Sequence, residues 1–137
     1  MKLFLDTNVM LDLLGEREPF YISAAKIATL ADKRKLKIIV SALSFATVSY
    51  FLTKYEGLKN TKDKLRKFKI ISGICELDEV IIEKALNSDF PYFEDSLQYF
   101  SALKSECDMI ITRNGKDFKK SQIPVMTPDE FLNSMKS

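Results

Sequence analysis

Three acidic places in this chain combine residue types and neighbours in a way that chemistry can use. Asp6 ends the apolar run Lys2-Leu3-Phe4-Leu5 and is followed by Thr7 and Asn8. Glu94 and Asp95 open the amphipathic stretch F-E-D-S-L-Q. Asp117 follows the apolar Met109-Ile110-Ile111 by way of Thr112-Arg113-Asn114-Gly115-Lys116. Carboxylates gathered from such distant positions repel one another and lose hydration, so a cluster of them calls for a cation. Magnesium, with its octahedral oxygen shell, suits Asp, Asn and water. Each place also has a simpler reading. Asp6, Thr7 and Asn8 can cap a following helix, Glu94 and Asp95 can complement a helix dipole, and Thr112, Asn114 and Asp117 can be turn residues. Asp12 is expected in a supporting role or on a solvated face.

Composition removes many other chemistries. The 137 residues contain no histidine, which excludes Ser-His-Asp hydrolysis, His acid–base ribonuclease chemistry and His-ligated zinc. Cys75 and Cys107 have neither a second Cys nor a His nearby and read as buried free thiols of a reducing compartment. Asp6 interrupts the opening apolar run before a signal-peptide core can form, so a cytoplasmic location is expected. The uncharged run Ile38 to Leu52, which Thr53 extends by one residue, is too short to span a bilayer and is interrupted by Ser41, Ser44, Thr47 and Ser49, so no membrane association is expected. With 46% apolar and 29% charged residues, the chain can close one core without staples, and residues 1–137 are expected to form a single domain.

The elements that must position the acids follow from periodicity and caps. Strands are expected at Lys2–Leu5, Lys37–Val40, Ile74–Leu77, Asp108–Ile111 and Pro124–Met126. Between them the pattern predicts helices near Val9–Leu14, Pro19–Lys33, Ser41–Tyr55 with Gly57 as its stop, Asn60–Ile71, Glu79–Leu86 capped by Asp78, and Phe93–Glu106. A turn of helix is expected at Asp117–Lys120, and Thr127-Pro128-Asp129-Glu130 reads as a capping box opening a last helix. Ile22, Ala25, Ile27, Ala28 and Leu30 are expected to face inward, as are Phe93, Leu97, Phe100 and Leu103. The alternation specifies an α/β fold: a central, mostly parallel sheet of four to five strands between two helical layers. In such sheets ligands bind beyond the carboxyl ends of strands, where Asp6 and the Thr112–Asp117 segment both lie.

Taken in order, L-F-L-D-T-N-V, F-E-D-S-L-Q and I-I-T-R-N-G-K-D-F resemble the motifs of the PIN-domain ribonucleases, especially the VapC-type toxins of bacterial toxin–antitoxin pairs. The resemblance runs from Lys2 to about Leu132. It implies a three-layer α/β/α PIN-like fold, with Asp6, Asp95 and Asp117 as catalytic residues and as ligands of one or two Mg²⁺ or Mn²⁺ ions. Asn8, Thr47, Glu94, Thr112 and Asn114 would support them. Thr47 departs from the family, which commonly has Glu there; the nearby Glu56 lies beyond the useful end of that helix.

The activity so implied is hydrolysis of RNA phosphodiester bonds by metal-activated water, in a toxin silenced by an antitoxin and commonly dimeric. The net charge of +2 is too small to identify a nucleic-acid partner. Most basic runs are solvated faces, and position singles out Arg113 and Lys116 as the expected substrate-binding cations. The alternative suggested by Thr47 is a catalytically weakened PIN-like domain that binds RNA or protein.

Overall fold

β1 (Lys2–Leu5) sits at the centre of a five-stranded sheet because its residues are buried on both faces and both its edges are paired. The computed structural model describes residues 1–136; Ser137, the end of the expected single domain, lies outside the described residues. The remaining strands are β2 (Lys37–Ser41), β3 (Ser72–Cys75), β4 (Met109–Ile111) and β5 (Val125–Met126), in the order β3-β2-β1-β4-β5 with every pairing parallel. Helices α1 (Thr7–Leu14), α2 (Tyr21–Asp32), α3 (Ala42–Glu56), α4 (Leu58–Ile70), α5 (Glu79–Leu86), α6 (Phe93–Lys104) and α7 (Pro128–Ser134) cover the two faces. This is the three-layer α/β/α PIN-like fold.

Alternation along each strand divides the core. Leu3, Leu5, Ile38, Val40, Met109 and Ile111 face α1, α2, α3, α4 and α7, meeting Val9, Met10, Ile27, Val48, Phe68 and Phe131. Phe4 and Ile110 point the other way, against Tyr99 and Ala102 of α6 and against Phe118 and Ile123. Cys75, Ile81, Ala85 and Leu97 extend that second layer, and both cysteines are free and buried. Burial pushes the Cys107 thiol up to about 12.

Several local expectations shift. Pairing of Ile38 with Ser72 through Ser41 with Cys75 places β3 two residues before Ile74–Leu77. The strand's start is set by its neighbour, and its tolerance for Gly73 comes from Ile39, whose Cδ1 would lie 2.8 Å from an added Cβ. α4 begins at Leu58 rather than Asn60, directly after Gly57, whose φ of 83° is glycine's territory. The expected turn of helix at Asp117–Lys120 is a 3-10 turn at Gly115–Phe118, two residues earlier. On α2, Ile22 is exposed, and Ala24, Ile27 and Ala31 are the buried positions. On α6, Phe93 and Leu103 are exposed, while Ser96, Leu97, Gln98, Tyr99, Ser101 and Ala102 are buried. The side of α6 that carries Asp95 and Gln98 is therefore a sheet-facing side. Among the described residues no helix is long and apolar enough to cross a membrane.

Candidate active site

The chain reverses its direction of winding between β1 and β4, which opens a crevice at their carboxyl ends. β1 and β4 pair from Leu3–Met109 to Leu5–Ile111, and the Asp6 N–H donates to the Ile111 carbonyl at 2.9 Å. That register sets Asp6 beside Thr112.

Asp6 is 6% exposed and has donors on both carboxylate oxygens. Oδ1 accepts from the Thr7 N–H at 2.8 Å and from Gln98 Nε2 at 3.1 Å; Oδ2 accepts from Thr112 Oγ1 at 2.7 Å and, at 3.4 Å, from Asn8 Nδ2. The helix-cap reading of Asp6 is thus correct and incomplete. Its bonds from Thr7 and Asn8 close the start of α1, and the other two come from Gln98 of α6 and from Thr112 just after β4. Thr112, fully buried, also accepts from Asn8 Nδ2 at 3.2 Å and from the Asn114 N–H at 3.1 Å. Asn8 Oδ1 accepts from the Arg113 N–H at 3.3 Å, so both expected supporting residues bind the β1 and β4 ends together.

Asp95 lies half-buried in the first turn of α6, and Asp117 lies half-buried in the 3-10 turn. The 3-10 turn is anchored by Phe118, whose ring meets Phe90 edge-on with centroids 6.2 Å apart. Burial, followed by the negative charges of Asp6, Asp117 and Glu94, pushes the Asp95 carboxyl up to about 7. Glu94 is exposed and acts here through its charge. The three aspartates predicted from sequence are therefore brought into electrostatic contact by three separate elements.

Other expected residues take different places. Arg113 holds Asp12 through Nε at 2.6 Å and a second guanidinium nitrogen at 3.3 Å, and stacks 3.9 Å above the Phe20 ring. Asp12, 1% exposed, also lies 3.7 Å from Arg17, which establishes it as a support. Lys116 is exposed, next to Asp117 in the 3-10 turn. Thr47 is half-buried on α3, and the helix reaches the Asp6 network through Ser44, one turn earlier. Glu56 is paired with Lys64 at 2.8 Å. The sequence did not reveal that Ser41, Ser44 and Gln98 would meet beneath Asp6.

The donor chemistry fits a hard cation. Oxygen donors predominate, and Asp95, raised by burial and then by its acidic neighbours, is a carboxylate whose charged form a divalent ion would stabilise. Among the described residues, however, no three His, Cys, Asp or Glu side chains form a closed metal cage. A hydrated ion, as magnesium prefers, fits such an open acidic site better than a dehydrated one.

The Asp95 shift has a sign that can be measured. Its folded value lies above the unfolded one, so between about pH 4 and 7 the folded chain retains a proton that the unfolded chain has released. Stability of the ion-free protein is therefore expected to fall as pH rises through that window, by about 2 kcal/mol after solvent screening, and to level off above it. Thermal melts in chelator from pH 4.5 to 8 check this; an Asp95→Asn variant that keeps the same slope would assign the effect elsewhere.

Fold and site together define a class: a parallel-sheet domain with Asp6 at its switch-point crevice, Asp95 at the start of a covering helix and Asp117 in the turn beyond β4. Residues 2–116 match the PIN domain, and the chain belongs to that family. It is similar to Ribonuclease VapC1 of Aquifex aeolicus (strain VF5), with 30% identity over 135 residues that span 95% of this chain and 92% of that one. Among solved structures it is similar to a toxin–antitoxin complex from Klebsiella pneumoniae, with a TM-score of 0.67, 23% identity, and coverage of 92% of this chain and 97% of the other. It is also similar to VapBC2 from Rickettsia felis bound to a promoter DNA fragment, with a TM-score of 0.66, 17% identity and the same coverage. At these identities the structural likenesses bear on the fold.

Proposed function

We propose that this protein is a divalent-metal-dependent endoribonuclease and the toxin member of a toxin–antitoxin pair, acting in the cytoplasm. What supports the reading is that Asp6 stands at the switch point and that Asp95, raised by burial, also feels the negative charges of Asp6 and Asp117. Similarity to a ribonuclease over nearly the whole chain supports RNA as the substrate.

Asp6, Asp95 and Asp117 would hold Mg²⁺ or Mn²⁺, with water completing the shell. Bound there, the ion supplies Lewis-acid activation of water and neutralises charge at the scissile phosphate. Asp6 is presented by a rigid hydrogen-bonded frame, so little reorganisation is required of it. With its carboxyl held at about 7, Asp95 would be only partly protonated at neutrality, and a bound cation would favour its ionised form. Lys116, exposed beside Asp117, would meet the phosphate backbone, whereas the Arg113 guanidinium is committed to Asp12 and braces the loop. Buried free thiols agree with a reducing compartment. The exposed Tyr50, Phe51, Tyr55 and Leu58 of α3 and α4 supply an apolar surface for a protein partner, an antitoxin or a second copy.

The test is RNA cleavage by the purified chain in Mg²⁺ or Mn²⁺, with 5′-phosphate ends on the products and complete loss in EDTA. Mg²⁺ at a hundredfold excess over its Kd is expected to add about 2.7 kcal/mol of stability. Cleavage that survives chelation would exclude the reading. A second reading, an RNA- or protein-binding PIN domain of weakened activity, draws on Thr47, since α3 contributes hydroxyls and no carboxylate to the site. A melting temperature indifferent to divalent ions, together with absent cleavage, would favour it.

A further inference from the structure

Gln98 is 2% exposed and all the polar atoms of its head are engaged. Its Oε1 accepts from Ser41 Oγ at 2.5 Å, and its Nε2 lies 2.9 Å from Ser44 Oγ, 3.1 Å from Asp6 Oδ1 and 3.2 Å from Thr7 Oγ1. Ser41 and Ser44 are fully buried. Proton accounting decides which way the amide faces. A carboxylate only accepts, so turning the amide over would set Oε1 against Asp6 Oδ1 and desolvate two acceptors together. Ser41 has one proton, and the shorter contact directs it to Gln98 rather than to Ser44, 3.3 Å away. Ser41 Oγ in turn accepts the Ser44 N–H at 3.1 Å, so the hydroxyl that orients the amide is itself held by the first turn of α3.

Four elements therefore meet in one chain of bonds: the end of β2, the start of α3, the middle of α6 and the turn after β1. We propose that Gln98 is a positioning residue that fixes the rotation of the Asp6 carboxylate for cation binding, and that Ser41 fixes the Gln98 amide. Such a residue touches neither substrate nor ion and acts through Asp6. It links α3 to Asp6 through neutral groups, so the helix that carries Thr47 still shapes the site. The proposal rests on the metal-dependent reading above.

The experiment measures Mn²⁺ affinity by electron paramagnetic resonance on the whole chain, with thermal melts as a control for folding. Gln98→Leu is expected to weaken Mn²⁺ binding at least about tenfold, as loss of a group that orients a ligand does. Ser41→Ala is expected to weaken it by a smaller factor in the same direction. A Gln98→Leu chain that folds and binds Mn²⁺ within about twofold of the native chain would overturn the proposal and leave Gln98 a packing residue. If that variant does not fold, Ser41→Ala decides by the same criterion. A native chain that binds no Mn²⁺ overturns the metal-dependent reading itself, and is distinguished because it needs no variant to appear.

Discussion

An Asp6→Asn chain is expected to lose RNA cleavage by about 100- to 1,000-fold while remaining folded. The charge is the functional quantity. Asparagine keeps the size and one acceptor, but it replaces the other oxygen with a donor in a place where four donors already converge. That mismatch costs about 1–3 kcal/mol. Removal of a negative charge beside Asp95 works in the opposite direction, since Asp6 is the largest charged contributor to the raised Asp95 value. The net change in melting temperature is therefore small, and the flattened pH slope should accompany it. Gel assays at saturating Mg²⁺, paired with circular dichroism melts, separate the two effects. Cleavage within tenfold of native would remove Asp6 from the mechanism.

The largest stability change is expected from Asp12→Asn, at about 2–3 kcal/mol, or roughly 10 °C in melting temperature. Asp12 is buried and anchors Arg113 through two contacts, with Arg17 nearby. Breaking one side of a buried pair ordinarily costs 3–5 kcal/mol; Arg113 retains enough exposure, 24% of its side chain, to recover part of its hydration. The charge is not required for its own sake. An Asp12→Leu, Arg113→Met double variant is expected to regain most of the loss, because apolar packing replaces two charges that water would otherwise claim. Chemical denaturation of the single and double variants measures this directly. A single variant as stable as the native chain would show that the loop is held by Phe20 stacking and the Asn8 bond alone.

Legibility in the sequence follows the range of the interaction. Elements bounded by local chemistry were readable: β1 by the apolar run ended at Asp6, α5 by Asp78 accepting the Ile81 N–H, and α7 by the reciprocal bonds of Thr127 and Glu130. The order of acidic motifs was readable because the switch-point crevice is a property of the parallel alternation. β3 slid because its ends answer to β2. The buried side of α6 was misread because Phe93 and Leu103 outrank Ser96, Gln98 and Ser101 in apolar character, while close approach to the sheet favours the small residues and the amide that Asp6 requires. Arg113 was assigned to substrate since its burial partner lies 101 positions away. Ser41 does cap α3, and nothing local to it announces a second obligation to Gln98.

Asp6 finds Gln98 at a separation of 92 residues and Thr112 at 106. Translation delivers the chain from its amino end, and domains fold largely as units. A ribosome that has read two thirds of the message has therefore released the first carboxylate but neither Gln98 nor Thr112. The centre of the sheet closes only when β4 emerges to lie beside β1. Until then a nascent copy lacks the assembled crevice, so under the proposed ribonuclease function chain topology would withhold activity until synthesis is nearly done.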